Sequence, residues 1–436
     1  MGINMSELKN ISAALKEKLQ AAGITKYACS ISEGEKQELN TEQSKFSLFR
    51  TIFSKDASVT AFIDNRKGTA SGNDLSDEGL QKLVDDAKAG AESSMPDDAN
   101  DIAEYQQPEE FHNGPYEADM ERFYDRLVEA LDTVKRDYPR ILLMQLIASH
   151  NKRHGLYMNS NGTAFEWWDG NYDTMMEFAG NDCEKTTGLG YGSVIMGDLE
   201  TPILDQGPLR MKLADTEKSL DTVSIGDKFE GTVIFTPDAL GDFTYTLEEN
   251  FISAGVVLAG TSQWLDKVGQ QVASDKFTLR LQAQDDRLVI ANPFTSDGYK
   301  AENVTLIEKG VLNCHLLNLY AAKKTGRPLV KNTGYGFVVE PGDTPVADMI
   351  KNVKRGLIVG GFSGGEPGAN GEFSGVAKNS FYVENGEIKG AVMETMINGN
   401  LQDVFRNVTA VSKELVSDGR MAFPYLATEG VTISGN

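Results

Sequence analysis

The dipeptide Asn385-Gly386 lies between the β-rich arms of the segment Phe381 to Val392. Both residues tolerate the positive φ of a type I′ turn, so the segment predicts a hairpin and commits this part of the chain to antiparallel pairing. A second hairpin is expected over Val304 to Leu316, turning at Glu308-Lys309-Gly310. Runs of strands stand beside a few helices without regular strand–helix–strand alternation, which indicates α+β. No internal repeat of about 20 to 50 residues is present.

At 436 residues the chain exceeds what one core comfortably serves, so two domains are expected. The polar stretch Ser219 to Lys228 makes the best boundary. It divides an N-terminal mixed α/β domain, 1–222, from a mainly antiparallel β domain with a few helices, 223–436. In the first, Ser6 can cap a helix with Leu8, Ile11, Leu15 and Leu19 on one face, ending at Gly23. Tyr27, Cys29 and Ile31 then alternate as in a strand. Ala57 to Ile63 and Thr69 to Ser71 flank a turn at Asn65-Arg66-Lys67-Gly68. Helices are expected over Ser76 to Ser93 and Glu117 to Lys135, separated by an exposed acidic connection, 94–115. Ile141 to Ser149 reads as a strand followed by turns and an antiparallel meander. In the second domain a strand, Gly231 to Thr236, leads through Pro237 into a helix carrying Leu240, Phe243, Leu247, Phe251 and Ala254.

Composition excludes several classes of function. The balance of 64 acidic against 42 basic side chains gives a net charge of −22. Such a surface repels polyanions, so neither nucleic acid nor anionic membrane is an expected partner. The longest uncharged apolar run, Ile252 to Gly260, is roughly half of what a bilayer-spanning helix needs. The N-terminus lacks the apolar stretch of a signal peptide, which points to a cytoplasmic protein. Cys29, Cys183 and Cys314 are too few and scattered for a disulfide framework and are expected as buried, reduced thiols.

Self-contained catalysis finds little support. The chain has four histidines, His112, His150, His154 and His315. His150 and His154 have helical ligand spacing, but they follow a strand and precede Gly155, so a turn is expected there and no metal site. Gly361-Phe362-Ser363-Gly364-Gly365 matches a nucleophile elbow, yet Glu366-Pro367-Gly368 cannot start the helix that the elbow requires. These five residues are better suited to the wall of a substrate groove, where glycines allow another backbone to approach. Glu248-Glu249 is expected on a solvated helix face.

Several segments of the second half carry a resemblance. Gly269-Gln270-Gln271-Val272-Ala273-Ser274, the hairpin around Lys309-Gly310, Tyr320 to Gly326, Gly371-Glu372-Phe373-Ser374, Val383 to Ile388 and Ile397-Asn398-Gly399-Asn400-Leu401 resemble the TldD/PmbA (TldE) peptidase family, once labelled modulator of DNA gyrase. In the TldD branch, the resemblance implies a His-Glu-x-x-x-His segment that supplies two metal ligands and a general base, and a cysteine near the C-terminus. Counting back without gaps from Gly269 puts Tyr245, Thr246 and Asn250 at those positions. Tyrosine and asparagine bind zinc poorly beside imidazole, and threonine cannot act as the carboxylate base. The last cysteine is Cys314, far from the end.

The resemblance is therefore to the PmbA/TldE branch. It implies a subunit without cofactor or catalytic residues that pairs with a TldD-type chain, the partner holding the zinc, to enclose small or unstructured peptides for proteolysis. The alternatives are a homodimeric peptide-binding or scaffold protein with no catalytic partner, or an independent hydrolase acting through Ser363.

Overall fold

The computed structural model describes residues 5–332, 334–393 and 395–435. Seven strands form the sheet of the first half: β1 (Lys26–Glu42), β2 (Lys45–Ile63), β3 (Arg66–Gly72), β4 (Glu109–Asn113), β5 (Ile141–Asn159), β6 (Ala164–Gly180) and β7 (Gly190–Met196). Their order is β3-β2-β1-β5-β6-β4, with β7 also paired to β6. Among the described residues of this sheet, only β4 joins its neighbour in parallel. One face carries four helices: α1 (Met5–Ala21), α2 (Asp77–Ser93), α3 (Met120–Asp137) and α4 (Leu209–Lys218). Tyr27, Cys29 and Ile31 pack with α1 and α2, while Leu39, Leu146, Tyr172 and Phe178 pack with α3 and α4.

Local chemistry sets most of these boundaries. Ser76 accepts from the Gly79 N–H and starts α2, and Asp119 accepts from the Arg122 N–H and starts α3. α1 already runs through Ser6, so that residue is not its cap; its side chain lies outside the described residues. The β2–β3 turn is the two-residue pair Asp64-Asn65, with φ of 48° and 62°, and not Asn65 to Gly68. Gly68 stands within β3, where a Cβ would come within 2.0 Å of the Ala87 carbonyl. It is there so that α2 can lie directly on the sheet.

The segment around His150 is also not a turn. β5 continues unbroken through His150 and His154, paired on both sides. The polar residues that suggest a loop occupy a strip of sheet between the two groups of helices. There His154 Nε2 meets Glu166 Oε1 at 2.9 Å, and both His154 and His112 stack on Trp168 with centroids 4.7 and 4.4 Å away.

The second half is a mixed, mainly antiparallel sheet of thirteen strands among the described residues, beginning at β8 (Phe229–Phe235). β8 sits at its centre, parallel to Arg355–Val359 and antiparallel to Ala422–Ser434. The expected hairpins turn at Lys309-Gly310 and Asn385-Gly386, all four residues having positive φ. The core gathers Phe235, Phe243, Phe251, Trp264, Phe277 and Phe405. Among the described residues, no helix is long and apolar enough to cross a membrane.

The connection 94–115 is not simply exposed. Ala99, Ile102 and Ala103 are buried, and Glu109–Asn113 is the strand β4. Its carboxylates fasten the two halves: Asp97 to Lys324 at 2.7 Å and to the Tyr320 hydroxyl at 2.9 Å, Asp101 to Lys323, and Glu104 to the Tyr299 hydroxyl at 2.7 Å. Lys324, the Ala99 N–H and Tyr320 together hold the Asp97 carboxyl down at about 2. Phe294 of the second half adds an apolar contact by packing on Tyr157, Phe165 and Trp167.

Candidate functional site

Thr236, at the end of β8, accepts from the Ala239 N–H and starts α5 (Pro237–Leu247), with Pro237 in its first turn. One side of α5 borders a cleft of about 460 Å³ where the two halves meet. Tyr191 of β7 and Lys212 of α4 line it from the first half. Asp238, Asp242 and Tyr245 line it from α5, with Gly361 and Phe362 beside them. Lys212 Nζ lies 2.5 Å from Asp238 Oδ2. Burial pushes the Asp242 carboxyl up; Asp238 and Glu366 push it further, and Lys212 opposes them.

Of the five residues expected in a groove wall, Gly361 and Phe362 border the cleft. Phe362 is held edge-on against Phe243 and Phe373, at 5.4 and 5.7 Å. Among the described residues, Gly361–Ser363 is a strand paired only with Glu372–Lys378, leaving its other edge bare. Ser363 is exposed in that strand and no helix follows, so the elbow geometry is absent. Gly364 and Gly365 then reverse the chain at φ of 74° and 63°. A Cβ on Gly365 would lie 1.8 Å from the Ser374 carbonyl, so no other residue fits. The rest of the loop is tied down: Asn250 Nδ2 donates to the Pro367 and Gly368 carbonyls at 3.0 and 3.2 Å.

Asn250 belongs to a feature that periodicity does not reveal. After Leu247 the helix widens into a π turn, Glu248–Ile252, marked by the Ser253 N–H donating to the Glu248 carbonyl at 2.8 Å. On an α-helix, positions 245 and 250 would diverge by about 140°. The wider turn draws residues five apart toward each other. Tyr245 is 53% exposed and its phenol is raised by Glu249 beside it. The Thr246 hydroxyl donates back to the Asp242 carbonyl at 2.9 Å. The three side chains thus serve three different partners.

The π turn also overturns the expected solvated Glu248-Glu249 face, because Glu248 is only 7% exposed. Burial, with Glu249 adjacent, pushes its carboxyl up to about 7 from 4.5. The folded chain therefore binds a proton that the unfolded chain has released between these values, so stability falls as pH rises through this window and is flat above it. Glu248→Gln is expected to reduce that slope, stabilising the chain at pH 8 by on the order of 3 kcal/mol and hardly at pH 4. Urea denaturation at pH 4, 6 and 8 reads this, and an unchanged slope would contradict it.

Each histidine has a structural partner. His150 Nε2 meets the Pro115 carbonyl at 2.8 Å and His315 Nε2 the Trp264 carbonyl at 3.1 Å, and burial lowers both imidazoles. Among the described residues, no three His, Cys, Asp or Glu side chains are grouped so as to hold a metal ion. Cys29 is buried, but Cys314 is only partly so and Cys183 is exposed, which corrects the expectation for those two. Sequence reasoning missed Lys212, Asp238, Asp242 and Tyr191. The four-residue spacing of Asp238 and Asp242 on a helix was the available signal.

Comparison with known proteins agrees with this architecture. Residues 229–435 match the PmbA/TldA metallopeptidase C-terminal domain, and residues 27–91 match domain 1 of the same group. The chain is 26% identical over 397 residues to a metalloprotease PmbA homolog of Haemophilus influenzae, covering 87% of this chain and 85% of that one. It is 26% identical over 376 residues to metalloprotease PmbA of Escherichia coli O157:H7, covering 82% and 80%. The crystal structure of TldE from Thermococcus kodakarensis superposes with a TM-score of 0.85 at 21% identity, covering 97% of this chain and all of that one. With the two domains matched in order and the fold shared along the chain, this protein belongs to the PmbA/TldD metallopeptidase family.

Proposed function

We propose that this chain is the non-catalytic subunit of a TldD/TldE-type metallopeptidase, a cytoplasmic pseudoenzyme that helps a TldD-type chain enclose small or unstructured peptides. The observation that carries the reading is the chemistry at the three motif positions. Tyr245, Thr246 and Asn250 offer a phenol, a hydroxyl and an amide, and the last two are engaged with the Asp242 carbonyl and the glycine-rich loop. Zinc needs imidazole, thiolate or carboxylate donors, so this set does not fit it, and no hydrolytic step runs through this chain. The zinc belongs to the partner.

Two features support the rest. The cleft offers an extended peptide the bare edge of Gly361–Ser363, where main-chain pairing binds with modest regard to sequence. Its excess of carboxylates over Lys212 and Lys378 favours peptides with basic side chains. For the partner chain, β2 provides a docking edge. Among the described residues, 45–54 of β2 pair with β1 on one side only, since β3 begins pairing at Ala57. Phe49 and Phe53 on that edge are 63% and 55% exposed. An apolar bare edge of this length invites a further strand.

The same edge suits a second copy of this chain, because an edge can pair with itself about a twofold axis. Size-exclusion chromatography of this chain mixed with a TldD-type chain from the same source separates the two arrangements. A single complex holding both chains is expected. Persistent separate elution, with this chain as a homodimer, would defeat the partner-subunit reading.

A further inference from the structure

A second chamber, of about 560 Å³, lies on the face of the first sheet opposite its helices and shares no lining residue with the cleft. Two adjacent cross-strand rows form its floor: Ser54, Gly34, Arg153 and Asp169, then Ile52, Lys36, Asn151 and Asn171. Strand alternation puts both rows on one face. The loop Ile290-Ala291-Asn292 of the second half borders it. Asn113 fixes that loop by donating Nδ2–H to the Val289 carbonyl at 2.9 Å.

The lining chooses among ligand classes. On this face two cations, Lys36 and Arg153, stand with two carboxylates, Asp56 and Asp169, while Lys152 and Glu35 pair at 3.3 Å on the helix side, so no net charge selects a phosphate or a cation. No aromatic side chain lines the chamber, so a sugar ring has nothing to stack on. What it has is four asparagines. A carboxamide presents the same N–H donor and carbonyl acceptor as a peptide group. Among the described residues these amides are half used. Asn292 Nδ2 is buried with no acceptor. Asn171 accepts from Asn151 at 3.2 Å through Oδ1, which leaves its own N–H groups uncommitted, and Asn113 uses only its N–H. The Asn171 N–H groups and the carbonyl oxygens of Asn113 and Asn292 are left for a ligand that supplies both acceptors and donors.

We propose that this chamber binds a short extended polypeptide segment through its main chain, as a peptide site separate from the cleft and independent of pairing with another subunit. The uncommitted amide groups of Asn113, Asn171 and Asn292 hold successive peptide groups, and the balanced charges tolerate either end of the segment.

A fluorescein-labelled hexapeptide of alternating alanine and serine, titrated with the full chain and followed by anisotropy, tests this. Saturable binding is expected. The same sequence with alternate backbone nitrogens methylated is expected to compete about tenfold less well, since it lacks half of the main-chain donors. This comparison uses the unaltered protein and does not depend on any variant folding. Asn171→Ala and Asn292→Ala are each expected to weaken binding about five- to tenfold. A benzophenone version of the peptide is expected to crosslink within 34–36 or 290–292. Absence of binding, equal competition by the methylated peptide, or crosslinks confined to 361–362 would each overturn the proposal.

Discussion

Replacing Phe49 and Phe53 together by aspartate is expected to abolish association with a TldD-type chain while leaving this chain folded. Both rings stand in solvent on β2, so their loss opens no cavity and breaks no core contact. The β2 main chain remains paired to β1 from Lys26–Phe62 to Glu42–Lys45. What the change removes is the apolar surface flanking the bare edge, and it places two charges where a partner strand would exclude water. Aromatic anchors of this kind each contribute about 2 kcal/mol or more, so affinity is expected to fall a hundredfold or more. Sedimentation velocity on the mixed chains, with circular dichroism of the variant alone, checks both halves of the expectation. An unchanged complex would move the interface away from β2.

Trp264→Ala is expected to cause the largest loss of stability, about 3–5 kcal/mol. The indole is fully buried, stacks on Phe251 at 4.9 Å and donates from Nε1 to Gln402 at 2.9 Å. Truncation leaves a cavity and strands the Gln402 carbonyl oxygen. Phe251 lies in the π turn that also carries Asn250, the residue holding the glycine-rich loop. The variant is therefore expected to expose the amides of 364–371 to faster hydrogen exchange even where the molecule remains folded. Chemical denaturation reads the first effect and exchange mass spectrometry the second. A cost below about 1 kcal/mol would show that the site repacks, and the link to the loop would fall with it.

Much of the fold could be read from local chemistry, and the failures have physical causes. Asn385-Gly386 and Lys309-Gly310 turn as expected because their positive φ is a requirement of the backbone itself. α2 and α3 were visible through their apolar faces, whereas their caps, Ser76 and Asp119, emerge from the structure. β5 was cut short at His150 because the strip of sheet between the helix pairs is polar, so its residues carry no apolar periodicity. The strap 94–115 looked solvent-exposed because its acidic residues find their partners, Lys323, Lys324 and Tyr320, more than two hundred residues further along. Glu248 was placed on the wrong face because the π turn shifts the helical phase after Leu247. In the cleft, Gly361 and Phe362 were named from their glycine-rich setting. Lys212 and Tyr191 reach the site from the other half of the chain, and only the tertiary fold brings them there.

Among these residues, Tyr245, Thr246 and Asn250 carry the functional reading. Counted back without gaps from Gly269, they stand where the family resemblance implies a metal motif, and a phenol, a hydroxyl and an amide are not the donors that zinc requires. The most direct test compares zinc content and hydrolysis of an unstructured peptide for this chain alone, a TldD-type chain alone, and the two co-expressed. The expected result is no zinc and no turnover in this chain, and zinc-dependent turnover in the complex that a chelator removes. Stoichiometric zinc with chelator-sensitive turnover in this chain alone would contradict the account.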